Sequence, residues 1–143
     1  MYDKEIKLMI VLRKLYKTLN DSLAKNLKRL GISTTDYAIL AVLESTGAIP
    51  MQKLGELVLI TSGTITYATD RLLKVGLVKK IQDEFDKRKF LIELTEIGYE
   101  TLKNINIEHL PYLGKVMGSF SDDELDEITG TIKKLGISVQ ENM

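Results

Sequence analysis

Residues 60–80 read ITSGTITYATDRLLKVGLVKK, and the rest of the chain is best understood outward from them. Thr61 stands where a helix N-cap is needed, because its hydroxyl can accept from a backbone N–H that the first turn leaves unpaired. Ile65, Ala68, Leu72 and Leu73 recur at helical spacing and predict an inward stripe. Ser62, Gly63, Thr66, Tyr67, Asp70, Arg71 and Lys74 fall on the outward face. Gly76 ends the helix, and Lys79 and Lys80 follow it. The first two turns are small and hydroxylic and hold neither Lys nor Arg. Such a start can still attract an anion, since a helix N-terminus carries free N–H groups and a partial positive charge.

On the N-terminal side, Pro50 suits the first position of a short helix in PMQKLGELVL, residues 50–59. STTD at 33–36 offers a capping box, Ser33 with Asp36, for a helix that ends near Gly47 and packs Tyr37, Leu40, Ala41 and Leu43. Earlier still, Leu8, Leu12, Leu15, Leu19, Leu23, Leu27 and Leu30 mark one face of a long helix over about 5–30, stopped by Gly31. On the C-terminal side, LVKKI and FLIEL read as two strands around the charged turn QDEFDKRK, with Phe90, Ile92 and Leu94 sharing a face. Thr95 starts a second long helix that reaches about Phe120 and holds Pro111, a point for a kink. SDDE at 121–124 is another capping box, opening a last helix through Leu125, Ile128, Ile132 and Leu135 to Gly136.

This order predicts a mainly α chain with a small β-hairpin, an α+β arrangement. Two helices joined by a short turn and followed by a hairpin make a winged helix-turn-helix, here over about 33–94. The long helices, about 5–30 and 95–138, exceed what that unit needs. Their apolar stripes predict a homodimer in which the terminal helices of two chains interlock.

Composition limits the function. The 143 residues are one domain's length, 44% apolar and 28% charged. There is no cysteine, which excludes disulfides, thiolate zinc sites, Fe–S clusters and cysteine-based redox sensing in this chain. No apolar run approaches the roughly 18 residues of a membrane span. The first residues alternate charge with apolar side chains, unlike a signal peptide, so a cytoplasmic location is expected. The formal net charge is zero, yet residues 1–32 carry +5, residues 50–92 carry +3 and residues 121–143 carry −4. A basic middle and an acidic end permit local binding of a polyanion. Catalysis finds little support. The one histidine, His109, has no Ser or Asp constellation near it in sequence, and SDDELDE reads as capping and dipole complementation rather than a metal site. With no Gly-rich phosphate loop either, the expectation is no enzyme, no catalytic residue, no metal and no cofactor.

LGELVLITSGTITYATDRLLKVGLVKK resembles the helix-turn-helix of the MarR family of bacterial winged-helix regulators. DEFDKRKFLIELTEIG resembles its wing and the start of the next helix, with Asp86 and Arg88 matching the D-x-R core of the wing motif. SGTITY is similar to the branch whose regulators respond to hydroquinones and organic peroxides. The resemblance spans essentially the full chain. It implies a homodimer that represses transcription from near-palindromic double-stranded DNA sites and is released by a small ligand or oxidant. The peroxide sensors act through a cysteine, so that mode is excluded here. The resemblance also implies an effector pocket between the dimer helices and the winged-helix unit, with Tyr16, Tyr37 and His109 as candidate lining.

In that frame each outward residue acquires a role. Ser62, Thr64 and Thr66 are candidates to donate to phosphates or base edges, Gly63 permits close approach, and Tyr67 can hydrogen-bond or pack on a thymine methyl. The bulk charge is assigned to Arg71, Lys74, Lys79, Lys80, Lys87, Arg88 and Lys89. Arg88 suits a narrow minor groove, and Asp86 is assigned to hold it there. The competing reading is a winged-helix module that dimerises or binds protein instead of DNA. It calls for an apolar patch on residues 61–74 and the wing tip, which are polar and basic in this chain.

Overall fold

The computed structural model describes residues 1–59 and 62–143. Its elements are α1 (Asp3–Arg29), α2 (Thr34–Thr46), β1 (Ile49–Pro50), α3 (Met51–Val58), α4 (Ser62–Lys74), β2 (Val78–Gln82), β3 (Phe90–Leu94), α5 (Glu96–Val116) and α6 (Asp122–Glu141). The chain forms two units, residues 1–109 and 110–143. Among the described residues no helix is long and apolar enough to cross a membrane.

In the first unit, one core joins Ile39, Leu40 and Leu43 of α2, Leu54 of α3, Ile65, Ala68 and Leu72 of α4, Val78, Ile92 and Leu94 of the sheet, and Leu102 of α5. The α4 stripe is thus placed as its spacing predicts, with Leu73 only partly covered and Thr69 buried as well. The α3–α4 turn passes through Leu59, whose φ of 60° is left-handed, a conformation that costs an L side chain roughly 1–2 kcal/mol. The N-cap assigned to Thr61 lies outside the described residues.

The sheet departs from the two-stranded expectation. It has three antiparallel strands in the order β1-β3-β2. Pro50 is not the first residue of α3. It pairs with Leu91 in β1 and takes the N-cap position of the helix. An edge strand tolerates a residue with no N–H to donate, and β1 is such an edge.

LTEIG, residues 94–98, has a packing explanation. The Thr95 hydroxyl accepts the Gly98 N–H at 3.0 Å and donates to the Gly76 carbonyl at 2.6 Å, so it caps α5 while tying it to the α4–β2 turn. A Cβ at Gly98 would run into the Leu77 carbonyl oxygen, so only glycine allows this approach. Gly76 itself has φ +78°, the left-handed value that reverses the chain out of α4.

Two further expectations are corrected. The box at Ser33 is half made: Ser33 Oγ accepts the Asp36 N–H at 3.1 Å, but the Asp36 carboxylate turns to Arg71 instead of back to the cap. In the second unit, α6 does not stop at Gly136 but continues to Glu141. A mid-helix glycine costs about 1 kcal/mol, too little to end a helix without a following stop. The box at its start is complete, with Glu124 N–H to Ser121 Oγ at 3.2 Å and Ser121 N–H to Glu124 Oε1 at 3.0 Å.

Candidate nucleic-acid interface

Burying Ile65, Ala68 and Leu72 turns the opposite face of α4 outward. Gly63, Thr64, Thr66 and Tyr67 are exposed on it, Tyr67 by 71%. Ser62 begins the helix, and a Cβ added at Gly63 would meet open space, so the backbone there is open to close approach. The Thr66 hydroxyl leans toward α3, donating to Met51 Sδ at 3.5 Å. Lys74 is exposed in the last turn.

Arg71 is placed differently. Its guanidinium pairs with the Asp36 carboxylate at the start of α2. It also lies 5.8 Å from the centre of the Tyr67 ring. The outward cation assigned to polyanion binding is therefore already engaged twice.

The wing tip is built by its own carboxylates. Asp83 accepts the Phe85 N–H at 2.9 Å, and Asp86 Oδ1 accepts both the Arg88 backbone N–H and its Nε–H at 3.1 Å. A second guanidinium N–H reaches Asp86 Oδ2 at 3.3 Å. Gln82 donates to the Lys87 carbonyl at 2.7 Å, and the Asp83 N–H bonds the Lys89 carbonyl across the turn at 3.0 Å. The Arg88 hydrogen bonds hold the Asp86 carboxyl below its usual range. Although paired, the Arg88 side chain is 91% exposed, and Lys87 and Lys89 are exposed beside it. Behind the tip, Lys79 is paired across the strands with Glu93 at 3.2 Å, and Lys80 lies 5.9 Å from the Phe90 ring centre. The tip thus gathers Lys87, Lys89 and a paired but outstretched Arg88, whereas on β2 Lys79 is paired and Lys80 lies against a ring.

Tyr37 and His109 meet in the interior. Their rings pack edge to face with centres 4.7 Å apart. The Tyr37 hydroxyl donates to Asn106 Oδ1 at 2.8 Å, and His109 Nδ1 shares a 2.9 Å hydrogen bond with the Asn26 amide. Burial, with His109 only 2% exposed, pushes its pKa below the usual 6.5. Desolvation first, and the Glu44 charge second, push the Tyr37 phenol upward. Arg29 donates to Asn26 Oδ1 at 3.4 Å and forms an exposed ion pair with Glu108 at 2.8 Å. Tyr16 is not part of this network. It stands 71% exposed, ten residues before Asn26 on the same helix and so about 15 Å away along the axis. Asn26 and Asn106 join these sites without any mark in the sequence, and Asp36, marked there only as a capping-box residue, is found holding Arg71. No local spacing signals these roles, because the His109, Tyr37 and Arg71 partners lie on other helices.

A helix-turn-helix with an attached sheet and a stiffened wing defines the class, a winged-helix protein. Comparison with known proteins narrows this. The model of the MarR family matches residues 32–90. The HTH-type transcriptional regulator MhqR of Bacillus subtilis is 30% identical over 141 residues, covering 99% of this chain and 97% of that protein. The chain belongs to the MarR family. Among solved structures, AbsC, a MarR family transcriptional regulator from Streptomyces coelicolor, aligns with a TM-score of 0.84 at 21% identity over 99% of this chain and 97% of its own. A mutant MarR from E. coli complexed with operator DNA aligns with a TM-score of 0.80 at 20% identity over 94% of this chain and 97% of its own.

Proposed function

We propose that this protein is a cytoplasmic homodimeric repressor that binds near-palindromic DNA and is released by a small ligand. The observation that carries the reading is the pairing of two surfaces in the winged-helix unit. The front of α4 offers uncharged polar groups on an open backbone, and the wing offers a held, outstretched Arg88 flanked by Lys87 and Lys89. A helix front of that kind suits base edges in the major groove, and a guanidinium on a narrow tip suits the minor groove. Ser62, Gly63, Thr64, Thr66 and Tyr67 then face the bases and adjoining phosphates, while Lys74, Lys87, Arg88 and Lys89 supply the attraction to the backbone. That a mutant MarR with this fold has been solved complexed with operator DNA is in keeping with a DNA-binding reading.

Dimerisation through the terminal helices, about 5–30 and 95–138, explains what a lone chain leaves wet. Leu8, Met9, Ile10, Val11, Leu15 and Tyr16 are exposed along α1, and α6 buries none of its residues while exposing Ile128, Ile132, Ile137 and Val139. The effector is assigned to the Tyr37–His109 neighbourhood, with Tyr16 as a further candidate. A ligand there would have to replace the hydrogen bonds of Asn26 and Asn106.

Selection of binding sites from random DNA with the purified protein tests the reading, with sedimentation alongside. A near-palindrome with half-sites roughly 10–10.5 base pairs apart, bound by a dimer, is the expected result. A folded monomer at micromolar concentration that enriches no sequence sinks it.

A further inference from the structure

We infer that Arg71 is not a phosphate contact but a positioning residue, clamped by Asp36 so that it fixes Tyr67 for reading DNA. The inference rests on the DNA-binding function proposed above and assigns a specificity device within it.

Three observations carry it. The Arg71 guanidinium is ion-paired to Asp36, whose side chain is only 15% exposed and whose own N–H is held by the Ser33 cap. The carboxylate is thus anchored at the first turn of α2, and it anchors the arginine in turn. Second, Arg71 lies one helical turn after Tyr67, with its guanidinium carbon 5.8 Å from the ring centre. At that distance the cation attracts the ring face and restrains a side chain that otherwise has 71% of its surface in water. Third, Arg71 and Asp36 line a groove of about 410 Å³ together with Ile32, Leu72, Thr101 and Asn104. With the Asp36 pair, that sets Arg71 on the side of α4 toward α2, where its side chain keeps 45% of its surface exposed.

The electrostatics follow. A cation neutralised by a fixed carboxylate displaces no counterion when a phosphate approaches, so it adds nothing to the salt dependence of binding. A tyrosine ring held in one orientation loses less freedom on binding and presents its hydroxyl at one place. Asp36 therefore converts the first cation along α4 from a nonspecific attractor into a support for an uncharged reader.

The test uses full-length protein, the DNA it selects, and random DNA of the same length, titrated at several salt concentrations. Arg71→Gln should leave the salt slope unchanged and cut the preference for selected over random DNA about tenfold, within what one base contact discriminates. In a Tyr67→Ala background the same change should have no further effect on preference. Asp36→Asn frees the guanidinium, so it should tighten binding to random DNA and steepen the salt slope by about 0.9 for each phosphate newly neutralised, while preference falls. Because it keeps the cap and removes no bulk, it reports even where Arg71→Gln unfolds. A slope flattened by Arg71→Gln, additive losses with Tyr67→Ala, or an Asp36→Asn protein identical to the parent each overturns the inference alone. A parent that binds no DNA overturns the proposed function and the inference with it.

Discussion

The front of α4 and the tip of the wing both stand in solvent, yet they are made of opposite materials. Between Gly63 and Tyr67 the helix presents backbone, hydroxyls and one ring, and the first cation along it, Arg71, is tied to Asp36. Between Lys87 and Lys89 the wing presents three cations in succession, and its carboxylates serve to stiffen the turn. The helix can rely on its terminal N–H groups for attraction and use its side chains for discrimination. A hairpin tip has no such dipole and must carry its charge on side chains. A surface that divides attraction from reading in this way should respond to substitution in two distinguishable patterns.

The sharpest way to break the comparison is at the wing. Arg88→Ala should weaken binding to the selected DNA by roughly 1–3 kcal/mol, as expected when one inserted charge-assisted interaction is removed. Sedimentation should show the dimer intact. If the variant binds as tightly as the parent at matched salt, the wing does not touch DNA.

Lys87→Ala should act on both kinds of DNA alike. Binding to selected and random sequences should fall together, and the salt slope should flatten by about 0.9 for each phosphate that is no longer neutralised. A fall confined to the selected sequence would instead make Lys87 a base reader.

Thr66→Ala probes the other side. It removes an uncharged group, so its titrations should keep the parental salt slope while the preference for selected DNA drops by a few-fold, at the lower end of what a single polar interaction contributes. Full retention of preference would reduce the start of α4 to an ordinary helix end and shift discrimination to the wing or to DNA deformability.

The smallest effect belongs to Asp86→Ala. Arg88 keeps its charge and loses only its holder, so affinity for selected DNA should fall less than for Arg88→Ala, while random DNA should be bound slightly more tightly because the guanidinium is no longer offset by a carboxylate. Equal losses for the two variants would mean that the pair acts as one unit.

What the sequence determined by itself was local. The helices α1, α2 and α4, the hairpin, and the box at Ser121 and Glu124 follow from periodicity, turn chemistry and partners two to four residues apart. The wing pair is legible for the same reason: Asp86 and Arg88 are two residues apart, and a tight turn brings their groups together whatever lies beneath. Thr61, assigned as a cap, lies outside the described residues. The boundary expected at Gly136 fails because a glycine weakens a helix without ending it. Tertiary structure decided the rest. Arg71 meets Asp36 across 35 residues, Tyr37 meets Asn106 across 69, and His109 meets Asn26 across 83. Pro50 becomes a strand residue only because Leu91 arrives beside it. No periodicity encodes these meetings. They are fixed by how α1, α2, α4 and α5 pack, and a side chain that reads in isolation as an outward cation becomes, once α2 lies next to it, one half of an ion pair.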